Sequence, residues 1–418
     1  MTIARHAGIT FIGMMAANVL NYLFYVLVTR TVGVEAYGTF ASLVAVVLVL
    51  SAPALIPQMV VAKLATAAVD DADALAGLVA AVDRVTVAVS LAAGLAIVVA
   101  AVPIAAFLHV ADPLLVVLSG IALVGAMALP FLRGVLQGTS RFGAFALSNV
   151  AENLGKASFA PALGLLAGVR GALGGMAIGY ALTAAFTFWT VQTHRRPRRV
   201  AISLAGVPTT TAAVALAVFA LNVLLLYDVI LAKRYLDPYT AGLYGAAALA
   251  GRALYAAIVF VPTVLLPQAA TRAARHERTR GLFVQAFGTA ALIAVAAVAF
   301  FGTFPAFVMT VFASRKFAGG APLLLPYVVA VGMLSLANVT ATYNIARSRL
   351  RFVIPLSLVA LGEIVAVVVR HRSATDLLQT IVIGHTLALL ACATSLGASA
   401  RARGRSLELA TSPAAPPT

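Results

Sequence analysis

The chain has 418 residues, 62% of them hydrophobic and only 10% charged, with a mean hydropathy of +1.03. Soluble domains carry about 25% charged residues, so this balance excludes a soluble globular domain and describes a polytopic membrane protein. The formal net charge of +16 would suggest nucleic acid in a soluble chain, but here the basic residues fall in short loops between apolar runs, where they set topology, and no nucleic-acid partner is expected.

Apolar runs near the ~20 residues that cross a bilayer recur along the whole chain. In order they cover 9–29, 38–61, 85–108, 114–132, 143–167 and 171–191, then 209–231, 241–267, 282–304, 323–345, 352–369 and 377–396. The first run is too long for the ~7–15-residue core of a secretory signal, so no cleavable signal is expected. The even count puts both termini on one side. Arg5, Lys63, Arg84, Arg133, Arg141 and the arginine clusters at 195–199, 272–280 and 347–351 lie on that side. The opposite side holds fewer, among them Arg30, Arg170, Lys233 and Arg234. The positive-inside rule then places both termini in the cytoplasm.

Span 1 carries Asn18, Asn21, Tyr22, Tyr25 and Thr29 at helical spacing, a polar stripe that reads either as glue between helices or as cavity lining. Span 5 carries Asn149, Glu152, Asn153 and Lys156 on one face. A charge at the bilayer centre costs roughly 2.5–3.5 kcal/mol even on insertion scales, so that face turns away from lipid. Glu152 and Lys156 are i, i+4 with the acid first, the favourable order for an intrahelical pair. They read as a self-neutralised structural pair, as a contact for an anionic headgroup, or as a coupling site. Span 8 sets Tyr244, Arg252 and Tyr255 in one arc. Arg252 keeps its charge and offers a fork that suits phosphate, so it is either a substrate contact or the partner of Asp228 or Glu363.

Asp228 in span 7 lies near the outer end, Glu363 in span 11 lies deeper, and Ser335, Asn338 and Thr342 make a milder stripe in span 10. Counted together, Arg30, Lys156 and Arg252 balance Glu152, Asp228 and Glu363. His385 in span 12 reads as hydrogen-bonded packing. Pro53 and Pro57 in span 2 and Pro262 and Pro267 in span 8 predict kinks. The single cysteine, Cys392, gives no disulfide framework. With no paired Cys, no His-x-x-x-His and no Gly-rich loop ending in Lys-Ser/Thr, neither a metal, a cofactor nor an enzymatic activity is expected.

Small landmarks repeat. Tyr37-Gly38 recurs as Tyr244-Gly245, Pro57-Gln58 as Pro267-Gln268, and Arg141-Phe142 as Arg351-Phe352, at offsets of 207, 210 and 210. This argues for a duplicated six-span unit, a parallel repeat about an axis along the membrane normal. The expected fold is an all-α polytopic membrane protein, with twelve transmembrane helices in two pseudo-symmetric six-helix lobes around a central cavity. The expected division is an N-terminal lobe 1–193, a basic cytoplasmic linker 194–207, a C-terminal lobe 208–400, and a disordered tail 401–418 rich in Pro, Ala, Ser and Thr.

The stretch from Leu27 to Phe40, with Arg30, Gly33, Tyr37 and Gly38, resembles the first inter-helix motif of the oligosaccharide flippases. This is the Wzx-like polysaccharide-transport family of the multidrug/oligosaccharidyl-lipid/polysaccharide exporter superfamily. Residues Leu231 to Gly245 look like its second-half counterpart, and Gly138-Thr-Ser-Arg141-Phe142 like its span 4–5 loop. The resemblance implies translocation of a polyprenyl-diphosphate-linked oligosaccharide across the plasma (inner) membrane by alternating access, for cell-surface polysaccharide biosynthesis and without ATP. It also implies membrane lipid and a glycan polymerase or glycosyltransferases as partners. Cationic cavity residues would meet the diphosphate, and Arg252, Lys156 and Arg30 are the matching positions. Asn21, Tyr25, Asn149, Asn153 and Tyr255 complete the expected substrate wall, and Glu152, Asp228 and Glu363 are the coupling candidates. Two alternatives stay open: a cation-coupled multidrug or small-molecule antiporter of the same fold, and a non-transporting scramblase or scaffold for a glycan polymerase.

Overall fold

The computed structural model describes residues 3–192, 209–275 and 277–396, and every regular element among them is helical. The first half runs α1 (Ile3–Thr31), α2 (Val34–Ser51), α3 (Leu55–Ala68), α4 (Ala72–Val99), α5 (Ala101–Phe107), α6 (Pro113–Gly138) and α7 (Phe142–Val191). The second runs α8 (Thr209–Tyr235), α9 (Pro238–Ile258), α10 (Phe260–Ala274), α11 (Arg280–Thr303), α12 (Pro305–Phe312), α13 (Ala321–Ala346), α14 (Val353–Val369) and α15 (Ala374–Ala393). Among the described residues, ten helical stretches are long and apolar enough to cross a membrane. The α7 stretch is two crossings, broken by non-helical backbone at Ala167 and Gly168, and the shorter apolar α14 adds another. The count is therefore the expected twelve. The expected linker 194–207 and tail 401–418 lie outside the described residues.

The two halves repeat each other element by element. Spans 2 and 8 each break in the middle. Span 2 breaks at a single 3-10 turn over Ala52–Ala54 that contains Pro53, and span 8 breaks at Val259, ahead of Pro262 and Pro267. Spans 3 and 9 are each followed by a short separate helix, α5 and α12; the expected span 85–108 merges α5 with the end of α4, and the expected span 282–304 stops short of α12.

Helix ends correct the repeat register. α2 and α9 start at Val34 and Pro238, an offset of 204 that pairs Gly38 with Gly242 and Phe40 with Tyr244. The Tyr37-Gly38 and Tyr244-Gly245 pairing is thus one turn out. α6 and α13 both end in a left-handed serine, Ser140 at φ 56° and Ser348 at φ 53°. In each, the next arginine closes a helix-terminating bond: the Arg141 amide donates to Leu136 at 2.8 Å and the Arg349 amide to Asn344 at 2.9 Å. The offset here is 208, and the residue matching Arg141 is Arg349, not Arg351. Glycine is the usual residue in this capping position because a Cβ is strained there. Ser140→Gly and Ser348→Gly are each expected to raise stability by about 1 kcal/mol, read as a higher unfolding midpoint in detergent.

Acidic caps fix where the helices begin. Asp71, Asp112 and Asp237 accept amide hydrogens at the starts of α4, α6 and α9, and Ser373 does so at α15. Hydrogen bonds, led by those from Thr240, hold the Asp237 carboxyl below the ordinary carboxylate range. Its contribution is therefore present above the unfolded-state value of about 3.9 and lost as pH falls through the lower folded value. Asp237→Ala is expected to cost about 1 kcal/mol at neutral pH and nothing once acid has protonated the cap.

The lobes meet through α2, which packs against α8 and α9. Most of the described contacts between lobes lie on the face opposite the termini. The Thr29 hydroxyl donates to the Ala313 carbonyl at 2.6 Å. Tyr37 packs edge-on against Phe317 at 5.5 Å, and Tyr22 against Phe312 at 6.5 Å. His109 binds Arg234 through both its backbone carbonyl and its guanidinium, at 3.1 and 2.7 Å. On the termini face Phe11 touches Phe260 at 5.8 Å, while Met59 on α3 and Val264 on α10 stand exposed. The described ties between the lobes thus gather on the opposite face, while α3 and α10 carry exposed apolar side chains toward the termini.

Candidate functional site

Two charged clusters, one per lobe, face each other across α1. The N-lobe cluster grows from a helix crossing built on small residues. Gly171, Gly175 and Gly179, one turn apart on the second half of α7, lie directly on the backbone of its first half. A Cβ on Gly179 would sit 2.7 Å from the Lys156 amide nitrogen. This close approach fixes the face that carries Glu152 and Lys156.

Glu152 holds two cations, not one. Its carboxylate meets Lys156 Nζ at 2.8 Å and Arg133 Nη2 at 2.8 Å. Arg133 also donates to the Ser148 hydroxyl at 3.0 Å and to its carbonyl at 2.9 Å, and Ser148 bonds Thr187 at 2.8 Å. One guanidinium therefore ties α6 to both halves of α7. Lys156, only 4% exposed, reaches Asn21 Oδ1 on α1 at 3.4 Å and stands over the rings of Tyr180 and Phe24, at 5.0 and 5.7 Å. The rings supply negative faces that make a buried ammonium tolerable.

Arg133 is the residue that sequence reasoning missed. The expected span 4 ended at 132 and left Arg133 in a loop, whereas α6 continues to Gly138 and buries it. The signal was present, since Leu129, Leu132 and Leu136 keep helical spacing past the arginine and are all buried. With Arg133 included, the N-lobe cluster carries two cations against one acid, a local surplus of one positive charge.

In the C-lobe, Arg252 pairs with Asp228 at 2.6 Å. Asp228 is 2% exposed and also accepts from the hydroxyls of Tyr327 at 2.7 Å and Tyr244 at 3.2 Å. Of the two readings of Arg252, the structure thus gives the ion pair. Its Nε, however, is buried without a hydrogen-bond partner. Tyr22 and Tyr25 on α1 lie within electrostatic reach of Arg252, and Tyr25 within that of Lys156. α1 is therefore the wall between the two clusters.

The other expected residues fall apart from them. Asn149 and Asn153 turn their amides onto their own helix, to the carbonyls of Phe145 at 2.8 Å and Asn149 at 2.9 Å. Tyr255 is half-buried one turn from Arg252. Arg30 is exposed in the last turn of α1, at the opposite face and outside both clusters. Glu363 is buried deep in the C-lobe with Tyr227 and His385. No group of His, Cys, Asp and Glu among the described residues is arranged to hold a metal.

No protein-family model matches the chain, and no curated protein matches it in sequence. Solved structures do match in shape. An inward-facing multidrug resistance MATE family transporter of the MOP superfamily superposes with a TM-score of 0.73 at 13% identity, over 95% of this chain and 96% of that one. The chain shares the fold of that transporter. The lipid II flippase MurJ in an inward closed conformation follows at 0.69 and 12% identity, over 93% of this chain and 87% of its own. An outward-facing MATE family transporter superposes less well, at 0.61 and 16% identity, with 98% and 96% covered.

Proposed function

We propose that the chain is a non-enzymatic transporter that moves a polyprenyl-diphosphate-linked oligosaccharide across the plasma membrane by alternating access of its two lobes. Lipid-linked glycan assembly would supply the substrate, and a glycan polymerase or glycosyltransferases would be its neighbours, with both termini cytoplasmic. The observation that carries this reading is the buried Arg133–Glu152–Lys156 cluster, in which one acid leaves a surplus positive charge beside α1. An anionic diphosphate is the ligand such a surplus attracts. Likeness to a lipid II flippase and the resemblance of the Leu27–Phe40 stretch to oligosaccharide flippases support it.

The competing reading, a cation-coupled drug antiporter, is supported by the likeness to MATE transporters. It wants an uncompensated acid in the cavity. Glu152 is clasped by two cations and Asp228 by Arg252 and two tyrosines.

The test is translocation of a fluorescent polyprenyl-diphosphate oligosaccharide in liposomes bearing the full-length protein. Lys156→Ala is expected to slow translocation by about tenfold to a hundredfold, the worth of one hydrogen bond to a charged group. An unchanged rate in Lys156→Ala and Arg252→Ala, with Glu152→Gln abolishing cation-driven drug efflux, would transfer the assignment to the antiporter. Normal glycan export with the lobes cross-linked would point to a scaffold instead.

A further inference from the structure

Away from both clusters, the C-lobe buries a third set of ionisable groups where α8, α13, α14 and α15 meet. The His385 ring on α15 has Nδ1 2.9 Å from the Ala330 carbonyl of α13 and Nε2 3.2 Å from the Leu224 carbonyl of α8. A carbonyl oxygen only accepts. A neutral imidazole has one N–H, so either tautomer would aim a ring lone pair at a carbonyl lone pair. Only the doubly protonated ring satisfies both bonds. The counter-charge is at hand, since Glu363 Oε1 on α14 lies 3.5 Å from Nε2 and accepts from the Tyr227 hydroxyl of α8 at 2.7 Å. Its other oxygen, Oε2, is buried without a partner, packed against Gly384, where a Cβ would collide with it.

We propose that Nε2 of His385, with Glu363 as counter-charge, is an exchangeable proton site whose occupancy ties α8 to α14 and α15. Release takes the proton from Nε2. It leaves the neutral Nδ1–H tautomer bonded to Ala330 but ends both the bond to Leu224 and the attraction to Glu363. The stranded carboxylate is then a buried, unbalanced charge, which favours separation of the helices that enclose it. An apolar groove of roughly 500 Å³ between α14 and α15, lined by Leu358, Val359, Ile383 and Leu387 with Thr380 and Arg370, covers the outer side of Glu363, whose side chain is fully enclosed, so exchange of the proton accompanies separation of these helices.

What makes the site matter is α8. Leu224 and Tyr227 belong to the site, and Asp228, the next residue, holds Arg252 in the inter-lobe cluster. α8 also packs on α2 of the other lobe. The other ionisable groups facing this region, Asp228, Arg252, Tyr244 and Tyr327, are bonded to one another. They leave the exchangeable proton to His385 and Glu363. The inference is independent of which molecule is carried.

The test uses full-length protein in liposomes of phosphatidylethanolamine and phosphatidylglycerol, with Cys392→Ala and spin labels at Met59→Cys and Val264→Cys. Infrared difference spectra and the label separation are followed from about pH 5 to about pH 8, the range in which an imidazole titrates. The wild type is expected to show a histidine and carboxyl signal together with a change in label separation. Both should be absent in Glu363→Gln and in His385→Gln. Tyr227→Phe retains the ring but removes a hydrogen bond from the carboxylate, and is expected to tighten proton binding by about tenfold. This variant keeps the test decisive if the buried substitutions fail to fold. A signal that persists in Glu363→Gln, a midpoint unmoved in Tyr227→Phe, or a label separation insensitive to pH in the wild type would overturn the proposal.

Discussion

Glu152→Ala is expected to destabilise the protein by about 3–5 kcal/mol, the usual consequence of stranding a buried charge. Here two are stranded, Arg133 and Lys156, both buried and both held at 2.8 Å by the one carboxylate. The loss would be read as a lower unfolding midpoint in detergent. A matched triple variant, Glu152→Ala with Arg133→Met and Lys156→Met, removes the unbalanced charges and is expected to recover most of that stability, because well-packed apolar residues replace buried ion pairs at little cost. The two proteins separate structure from function. If the surplus cation reads an anionic headgroup, the triple variant folds but does not translocate; if it translocates normally, the cluster is structural and the substrate must be held elsewhere.

That cluster also marks how far the sequence could be read. The Glu152–Lys156 pair is a matter of spacing on one helix, and the structure places it as the i, i+4 rule requires. The twelve spans and their kinks followed from apolar length and proline, both local properties. Arg133 escaped because a charged residue at the end of an apolar run looks like the start of a loop, and only its bonds to Ser148 and Glu152, from another helix, make its burial tolerable. Arg252 was legible as a group in need of a partner, but Asp228 was one of two candidates, and helix packing made the choice. His385 was expected to be hydrogen-bonded, and it is. That both acceptors are main-chain carbonyls, from α8 and α13, is invisible in any sequence, because every residue has a carbonyl. The repeat was legible as an existence and not as a register. The Tyr37-Gly38 and Tyr244-Gly245 pair falls three residues out of the register set by the helix starts, and Arg351 two residues out of that set by the left-handed serines.

The corrected register leads to the second large effect. Gly38 and Gly242 are equivalent in the two halves, and they meet at the pseudo-symmetry axis, where α2 crosses α9. A Cβ on Gly38 would lie 2.9 Å from the Gly242 nitrogen, and one on Gly242 would overlap the Val34 carbonyl. Backbone cannot give way as a flexible side chain can, so Gly242→Val is expected to cost the closed form about 1–3 kcal/mol or more. The clash lies where α2 of one lobe meets α9 of the other, so the cost falls on the contact between lobes. In a two-state cycle that amount shifts the population by about tenfold to a hundredfold. Ala41, half-buried beside Gly245 at this seam, supplies the readout. On a Cys392→Ala background, Ala41→Cys should resist a membrane-impermeant maleimide applied from the opposite face, and Gly242→Val should make it reactive while slowing translocation at least tenfold. An unreactive Ala41→Cys together with normal translocation would mean that the seam does not open during the cycle. The remaining ties across this face, Thr29 to Ala313 and His109 to Arg234, would then be static struts, and alternating access would have to proceed by bending within lobes.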